Sequence, residues 1–354
     1  MVLLAKEDAM IQITEGNILK ADADALVNTV NCVGYMGKGI ALQFKQAFPE
    51  NFEAYQKACN RRQVKPGHMF IFETGKMFNP KYIINFPTKR HWRGKSRLED
   101  VNAGLLALIE DVKRLGICSI AVPPLGCGLG GLHWNVVRPM IEKAFFELPQ
   151  VRVLLFAPAG TPDAKTMPIH TVIPKMTVAR ALLIKLMQQY SSLAYRLTLL
   201  EIQKLAYFLQ EAGEPLRLRY EAGPYGPYAP NLNKVLEVLE GHFIHGYGDS
   251  QKPDAEIELE TMAGGAADRF LIEESESNER LRKVATLIDG FETPYGMELL
   301  ASVHWLAVHS EPVATDPDDA ISQMQQWTPR KNKLFKPDHI RTAFGRLMEH
   351  SWFE

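Results

Sequence analysis

The first 157 residues alternate between short apolar runs and longer stretches of helical periodicity. Runs rich in β-branched and aromatic residues predict strands at 11–14, 25–29, 68–73, 82–86, 119–123 and 151–156. Apolar residues three or four positions apart predict helices at 40–58, 101–115 and 134–148, with Asp100 as the N-cap of the second. Strands that alternate with helices indicate an α/β sheet covered on both faces, which binds ligands beyond the carboxyl ends of its strands.

The pattern changes after residue 157. Residues 158–176 contain four prolines and no sustained period, which is typical of a linker. Helical periodicity then dominates at 178–190, 199–211, 232–240, 280–289, 296–309 and 337–349, with a hairpin-like stretch at 216–225. The sequence therefore predicts two domains, an α/β domain at 1–157 and a mainly helical α+β domain at 177–354.

The composition is that of a soluble globular protein. Of the 354 residues 46% are hydrophobic and 23% are charged, and the formal net charge of −1 argues against bulk attraction to nucleic acid. No apolar run approaches the roughly 18 residues that a membrane span needs, and charges interrupt the amino terminus where a signal peptide would be apolar. Four cysteines, none in a C-x-x-C pair, favour reduced thiols and no metal site. We therefore expect a cytoplasmic protein with no membrane partner.

One segment departs from this balance of charges. Residues 249–279 hold ten acidic residues against Lys252 and Arg269. Such a run is compatible with a solvated loop or with an acidic surface that meets a basic partner.

Two glycine-rich segments each follow a predicted strand and lead into a predicted helix. The first is VNTVNCVGYMGKGIA at 27–41, and the second is PPLGCGLGG at 123–131. Glycines let backbone N–H groups turn toward an anion, so two such segments at one edge of a sheet suggest a cradle for a diphosphate. Neither segment ends in the Gly-Lys-Ser/Thr of a Walker A loop, and the glycine order does not match a dinucleotide fingerprint. Nucleoside triphosphate hydrolysis and nicotinamide redox chemistry therefore fit poorly.

These segments resemble the two ligand-binding loops of macrodomains. The first 157 residues most resemble the DarG antitoxins and, more distantly, the terminal ADP-ribose protein glycohydrolases. The resemblance implies a three-layer α/β/α macrodomain with a mixed sheet, which binds ADP-ribose and uses no cofactor. It also implies the ADP-ribose contacts, namely Asn17, Ile18, Asn28, Asn31, Gly37, Lys38, Gly39, Ile40, Gly126, Cys127, Gly128, Leu129 and Gly130.

Two of these positions depart from the related families. Asn17 stands where an aspartate usually contacts adenine, although an amide can still hydrogen-bond a purine edge. Gly130 stands where the protein glycohydrolases have an aspartate that assists catalysis. The resemblance therefore shifts the expected chemistry to another residue.

That residue is Lys89, in the segment NFPTKRHWR at 85–93 that leaves a predicted strand. The resemblance to DarG implies that this lysine is associated with de-ADP-ribosylation. A desolvated neutral amine could attack C1 of the distal ribose, whereas an ammonium could stabilise the departing base or orient a water molecule. The sequence leaves both roles open, and His91 is a fallback acid–base group.

A basic and aromatic cluster includes Lys89; its other members are Arg90, His91, Trp92, Arg93, Lys95 and Arg97. Arg90, His91, Trp92 and Arg93 are candidates for DNA contact, because cations meet phosphates and an aromatic ring stacks on a base. The expected substrate is ADP-ribose attached to a base of single-stranded DNA, thymine being the base that the DarG resemblance implies, and free ADP-ribose is the product.

The second half carries a Leu-Gln-Lys-Leu-like helix around Lys204 and a Tyr-Gly-Pro turn at 225–227, which resemble Panacea-type antitoxin domains. The resemblance implies that residues 177–354 bind a DarT-like toxin, a DNA ADP-ribosyltransferase, and the acidic residues at 249–279 could stand in for DNA phosphates. The leading hypothesis is a glycohydrolase fused to a toxin-binding domain. A reader of ADP-ribose without catalysis and a hydrolase of a free ADP-ribose derivative are the alternatives.

Overall fold

The computed structural model describes residues 11–158, 166–192, 196–248 and 255–353. The chain divides into two compact units, Met1–Val172 with Gly248–Gln251, and Ile173–Tyr247 with Lys252–Glu354. Within the described ranges no helix has the length and apolar character needed to cross a membrane.

The first unit is built on a six-stranded mixed sheet. Its strands are β1 Ile11–Thr14, β2 Ala25–Val30, β3 Phe70–Glu73, β4 Tyr82–Pro87, β5 Ser119–Val122 and β6 Arg152–Phe156, in the order β1-β6-β5-β2-β4-β3. Every neighbouring pair is parallel except β3 and β4. Because β2, β4 and β5 run in parallel, their carboxyl ends meet at one edge, with Val30 of β2 beside Pro87 of β4.

Four α-helices and a 3₁₀ turn connect these strands. The turn is Ile18–Lys20, and the helices are α1 Gly39–Ala47, α2 Pro49–Asn60, α3 Leu98–Leu115 and α4 Trp134–Phe145. The single helix predicted at 40–58 is wrong, because the chain leaves helical geometry at Phe48 and Pro49 then begins a new helix. Asp100 is not the N-cap of α3, which begins at Leu98 after Arg97. Asp100 instead forms an ion pair with Arg90.

The sheet is covered by apolar clusters on both faces, which confirms the predicted three-layer α/β/α fold. One cluster joins Leu105 and Leu108 of α3 to Ile84 of β4. The cluster on the opposite face joins Phe44 of α1 to Ile83 of β4. Gly104 of α3 lies so close to the buried ring of Phe86 that a Cβ at this glycine would overlap the ring. Helix α3 therefore packs tightly on the strand that precedes Lys89.

Part of the predicted linker contacts the first unit. The His170 N–H donates to the Gln46 carbonyl at 2.8 Å, and the His170 ring meets the Ala47 carbonyl at 2.7 Å. Met167 packs against the apolar cluster of α1. Residues 159–165 lie outside the described ranges.

The second unit is mainly helical, as predicted, and it contains two short strand pairs, of which the sequence indicated only a hairpin near 216–225. Its helices are α5 Val178–Ser191, α6 Leu199–Glu211, α7 Leu232–Leu239, α8 Ala263–Leu271, α9 Ser275–Ile288, α10 Pro294–Val308, α11 Pro317–Trp327, α12 Pro329–Leu334 and α13 Pro337–Glu349. A hairpin pairs β7 Glu221–Gly223 with β8 Gly226–Tyr228, and β9 Ile244–His245 pairs with β10 Glu258–Leu259.

The acidic stretch is more ordered than the loop interpretation predicts. Its described part forms β10, α8 and the start of α9, while residues 249–254 lie outside the described ranges. Several of its acids have basic partners: Asp268 meets Lys185 at 2.7 Å, and Glu276 meets Arg280 at 3.1 Å. The loop interpretation is therefore wrong for the described part, and pairing offsets some of its charge.

The lysine helix and the Tyr-Gly-Pro turn noted in the sequence meet in the core of the second unit. The fully buried Lys204 of α6 donates its Nζ to the Pro227 carbonyl at 2.7 Å. Lys331 is also buried, and its Nζ lies 3.0 Å from Glu298. Burial and the neighbouring Lys331 charge lower the pKa of Lys204 to about 7, and burial lowers the pKa of Lys331 to about 8. The lysine thus fixes the hairpin turn.

Candidate active site

The second glycine segment forms the loop between β5 and α4. Gly126 and Gly131 adopt positive φ angles of 71° and 78°, which favour glycine. Tight turns close the loop, and the Leu132 N–H donates to the Gly126 carbonyl at 3.0 Å. Across the described ranges, no acceptor meets the N–H groups of Gly126, Gly128, Leu129 and Gly130. Backbone amides without an acceptor can bind an anion such as a diphosphate.

The space around Gly130 explains why no carboxylate stands there. A Cβ at Gly130 would lie 2.9 Å from the Gly126 carbonyl carbon and closer still to its oxygen and to the Ser96 hydroxyl. The Ser96 N–H donates to the Gly130 carbonyl at 3.0 Å, so Ser96 fills the space beside the loop. The backbone thus excludes an aspartate at this position. Ser96 had no distinguishing signal in the sequence.

The first glycine segment lies beside this loop. A Cβ at Gly39 would stand 3.6 Å from the Leu129 side chain, so the start of α1 adjoins the second segment. Gly37 is buried, whereas Lys38, Gly39 and Ile40 are half-buried. The amino end of a helix carries partial positive charge. Both glycine segments and that helix end therefore meet at the carboxyl edge of the sheet.

Asn31 shapes the first segment through its side chain. Its Oδ1 accepts from the Val33 N–H at 2.9 Å, and its Nδ2 donates to the Tyr35 carbonyl at 2.5 Å. The Tyr55 hydroxyl donates to the Asn31 carbonyl at 2.6 Å, which ties α2 to the end of β2. These bonds hold the turn that leads to Gly37.

Asn28 lies behind this edge, inside the protein. It is fully buried, and its Nδ2 donates to Asn85 Oδ1 at 3.0 Å. Asn85 Nδ2 in turn donates to Asn51 Oδ1 at 2.7 Å. This chain of amides links β2, β4 and α2. Asn28 is therefore placed to support the edge from within.

Asn17 caps the 3₁₀ turn. Its Oδ1 accepts from the Leu19 N–H at 2.9 Å, and its Nδ2 lies 3.1 Å from Met167 Sδ. Ile18 is buried in the apolar cluster of α1, against which Ile40 also packs. The structure thus brings Asn17 and Ile18 to the α1 side of the sheet, with the Asn17 side chain already hydrogen-bonded.

Lys89 is held at the same edge by its backbone. The N–H groups of Thr88 and Lys89 both donate to the Val30 carbonyl, at 3.0 and 3.3 Å, and the Cys32 thiol donates to the Lys89 carbonyl at 3.4 Å. The side chain is half-buried, and no described residue pairs with its amine. Burial and the nearby charge of Lys95 lower the pKa of Lys89. Lys89 therefore has a fixed backbone and an unpaired amine that loses its proton more easily than that of an ordinary lysine.

The thiols at this edge carry no charge near neutral pH. Burial raises the pKa of Cys32 and of Cys127 to about 11 in each case. Neither thiol is therefore a competing nucleophile. Cys32 supports Lys89 as a hydrogen-bond donor, a role that the sequence did not signal.

Arg90 ties the loop that carries Lys89 to helix α3. Its Nε and Nη2 donate to the two carboxylate oxygens of Asp100 at 3.1 and 3.0 Å. Asp100 is only 8% exposed in its side chain, so this bidentate pair anchors the loop to the first turn of α3. Of the predicted DNA-contact residues, Arg90 is therefore already paired within the protein.

The other three candidates surround an aromatic surface. Trp92 is 42% exposed, with the Tyr35 ring at 5.4 Å and the His91 ring stacked at 5.5 Å between centroids. The Arg93 guanidinium lies 4.6 Å from the Trp92 ring centroid. The predicted combination of exposed aromatic ring and cation is present at one place, next to the first glycine segment.

Comparison with known proteins supports the motif resemblance. A family model described as Macro domain matches residues 27–141. A protein of Thermus aquaticus named DNA ADP-ribosyl glycohydrolase is 45% identical over 340 residues, which cover 96% of this chain and 93% of the relative. A Mycobacterium tuberculosis protein of the same name is 42% identical over 357 residues, covering 96% and 99%.

A more distant relative carries a second activity in its name. A DNA ADP-ribosyl transferase-DNA ADP-ribosyl glycohydrolase fusion protein of Thermosipho africanus is 32% identical over 175 residues, 45% of each chain. The matches to the first two relatives extend over 96% of this chain and therefore take in both of its compact units. The chain therefore belongs to the family of DNA ADP-ribosyl glycohydrolases, the DarG antitoxins that its glycine segments and Lys89 motif resemble.

Proposed function

We propose that this chain is an antitoxin that hydrolyses ADP-ribose from DNA, and that Lys89 carries the reaction. Membership of the glycohydrolase family supports the activity. The observation that supports Lys89 is its half-buried amine, which no described residue pairs and which lies at the same edge of the sheet as the second glycine segment.

The unsatisfied amides indicate how the substrate would lie. Charge-assisted bonds to the diphosphate would satisfy the N–H groups of residues 126 and 128–130. The distal ribose would then lie between the two glycine segments, with C1 toward Lys89. Such positioning lowers the entropic cost of reaching the transition state.

We propose that Lys89 acts as a neutral amine, a role that its lowered pKa supports in direction. Lys89 Nζ would form a bond to C1 of the distal ribose while the bond from C1 to the base nitrogen breaks. The leaving nitrogen would take a proton from the resulting alkylated ammonium, so charge balances. Water would then attack C1 as the bond from C1 to Lys89 Nζ breaks, and one proton of that water would pass to Nζ, which releases ADP-ribose and the neutral lysine. The step requires no carboxylate, which is consistent with the steric exclusion at Gly130.

Recognition of the DNA itself would fall to the exposed aromatic surface. Trp92 could stack on a base of a single strand, and Arg93 could meet a phosphate. Thymine is the base that we propose, on the DarG resemblance. Because Arg90 is bound to Asp100, we assign it to positioning the loop.

The experiment compares Lys89→Ala and Lys89→Arg on a single-stranded oligonucleotide with one ADP-ribosylated thymine. Both variants should lose release of ADP-ribose by about 10²–10⁴-fold, because arginine keeps the charge but does not become a neutral nucleophile. Calorimetry with ADP-ribose checks that each variant still folds and binds. An active arginine variant would assign Lys89 an electrostatic role, and an active alanine variant would contradict its catalytic assignment.

Side-by-side substrates test the alternative functions. Modified DNA, modified protein, ADP-ribose 1″-phosphate and O-acetyl-ADP-ribose are incubated with the native chain, and the products are separated. Release of ADP-ribose from modified DNA, and from none of the other three substrates, supports the proposal. Binding without release from any substrate would instead make the protein a reader of ADP-ribose.

We further propose that residues 177–354 bind a DarT-like toxin. The fusion relative, in which a DNA ADP-ribosyl transferase and a glycohydrolase occupy one chain, supports this partner. A protein that modifies DNA needs a basic substrate groove, and Glu273, Glu274 and Glu279 are acids that no described residue pairs. Glu273 and Glu279 are exposed, and Glu274 is half-buried. These acids could occupy such a groove in place of phosphates.

Removal of these charges tests the proposed toxin contact. Glutamine at positions 273, 274 and 279 should weaken toxin binding about tenfold and reduce its salt dependence. The control removes three acidic charges on α11 and α13, at Asp318, Asp338 and Glu349. Equal affinities for both triple variants, at low and high salt, would count against the phosphate-like role.

A further inference from the structure

A second lysine lies against the second glycine segment. The side chain of Lys95 covers Gly131, with Nζ 3.2 Å and Cδ 3.4 Å from the point that a Cβ of Gly131 would occupy. Gly131 closes the loop whose amides at 126 and 128–130 have no acceptor among the described residues. The ammonium of Lys95 therefore lies at the end of a row of unsatisfied donors.

The backbone fixes Lys95 at this place. Its neighbour Ser96 donates its N–H to the Gly130 carbonyl at 3.0 Å, and its other neighbour Gly94 donates to the His91 carbonyl at 3.0 Å. No acid among the described residues pairs with Lys95. A cation that is anchored beside free amides and lacks a carboxylate partner is suited to an anionic ligand.

The other charged or titratable groups around Lys89 do not duplicate this role. Arg90 is paired with Asp100, and Arg93 and His91 lie against the Trp92 ring. The Cys32 thiol, which meets Lys89 from the end of β2, stays protonated near neutral pH. Lys95 is the charged side chain that, together with burial, lowers the pKa of Lys89.

We propose that Lys95 is a second functional lysine of this site, which pairs with the diphosphate of ADP-ribose at the second glycine segment and offsets its charge at Lys89. A diphosphate alone would hold a proton on the Lys89 amine by attraction. With Lys95 beside it, the net charge near Lys89 stays low, and the amine remains able to lose its proton. Lys95 is thus a ligand-binding and positioning residue, and this inference rests on the proposed function of the site.

The test compares Lys95→Met, which removes the charge, with Lys95→Arg, which keeps it. Lys95→Met should bind ADP-ribose about tenfold more weakly, with a smaller loss of affinity at high salt. The rise of its release rate with pH should move up by about one pH unit, because Lys89 loses a repelling neighbour. Lys95→Arg should retain most of both properties.

The matched control is Lys113→Met at the far end of α3, where Lys113 pairs with Glu110 and Glu147. It should leave affinity and the pH profile unchanged. An unchanged affinity in Lys95→Met would overturn the diphosphate contact, and an unchanged pH profile would overturn the effect on Lys89. Calorimetry with ADP-ribose needs no turnover, so it decides the contact even if native protein fails to release ADP-ribose from DNA.

Discussion

Introducing an aspartate at Gly130 should damage the site although it restores the carboxylate of the related protein glycohydrolases. The first added atom, Cβ, would lie 2.9 Å from the Gly126 carbonyl carbon and nearer still to its oxygen. Ordinary contacts begin near 3.5 Å, so the loop backbone would have to retreat by roughly 1 Å. The Ser96 hydroxyl also stands in the way, but it belongs to a side chain that could turn.

The cost follows from what the loop does. Overpacking of this kind typically costs about 1–3 kcal/mol of stability. If the shift removes two of the four proposed amide contacts to the diphosphate, at about 1.5 kcal/mol each, the affinity for ADP-ribose falls by about 100-fold. Gly130→Ala should show nearly the same loss, because the obstruction meets Cβ and not the carboxylate.

Calorimetry with ADP-ribose and thermal unfolding measure both effects. Gly130→Ala/Ser96→Gly should not recover the affinity, since the Gly126 carbonyl remains. The control Gly345→Ala adds a methyl group to α13 in open space and should be neutral or slightly stabilising. Native affinity in Gly130→Ala would refute the steric argument, and higher activity in Gly130→Asp would show that the site tolerates a second catalytic group.

Two further predictions concern buried contacts in each unit. Gly104→Ala should destabilise the first unit by about 1–3 kcal/mol, because its Cβ would overlap the Phe86 ring, and Phe86→Leu should recover part of the loss in a double-mutant cycle measured by urea unfolding. In the second unit the pKa values of Lys204 and Lys331, about 7 and about 8, lie below the ordinary lysine value of 10.5. Between the folded-state pKa values and 10.5, the unfolded chain therefore binds more protons than the folded chain does. The free energy of unfolding should accordingly rise as the pH increases from about 7 to 10. Lys204→Met should flatten that rise, whereas a native protein with equal stability at pH 7 and pH 9 would contradict the burial of neutral amines.

Much of the fold was readable because its elements are local. The periodicity of α3, α6 and α13 and the β-branched runs of the parallel strands predicted these elements to within a few residues. The break at Phe48 was missed although Pro49 signals it, because the apolar spacing continues across the proline. Helix α11 was missed as well, although Asp316 as N-cap and Pro317 after it signal its start.

Other features depended on the tertiary structure. Helix α8 contains Gly264 and Gly265, which are weak helix formers, and Gly264 packs too closely against Gln188 of α5 for a side chain to fit. In the site, motifs identified the glycine segments and Lys89. Ser96, Cys32 and Lys95 support the site only because the folded chain brings them to Gly130, Lys89 and Gly131. The spacing of residues along the sequence does not predict such contacts.

The pair between Arg90 and Asp100 bears on how strongly unmodified DNA would compete for this protein. Each phosphate that a protein neutralises on a single strand contributes about −0.7 to the slope of the logarithm of the binding constant against the logarithm of the salt concentration. With Arg90 committed to Asp100 and Lys95 facing the glycine segment, few cations of this loop are left for the strand. Binding should then depend only weakly on salt for bare DNA. Selectivity would come from the ADP-ribose group, so that the enzyme is not held by the large excess of unmodified strands around its substrate.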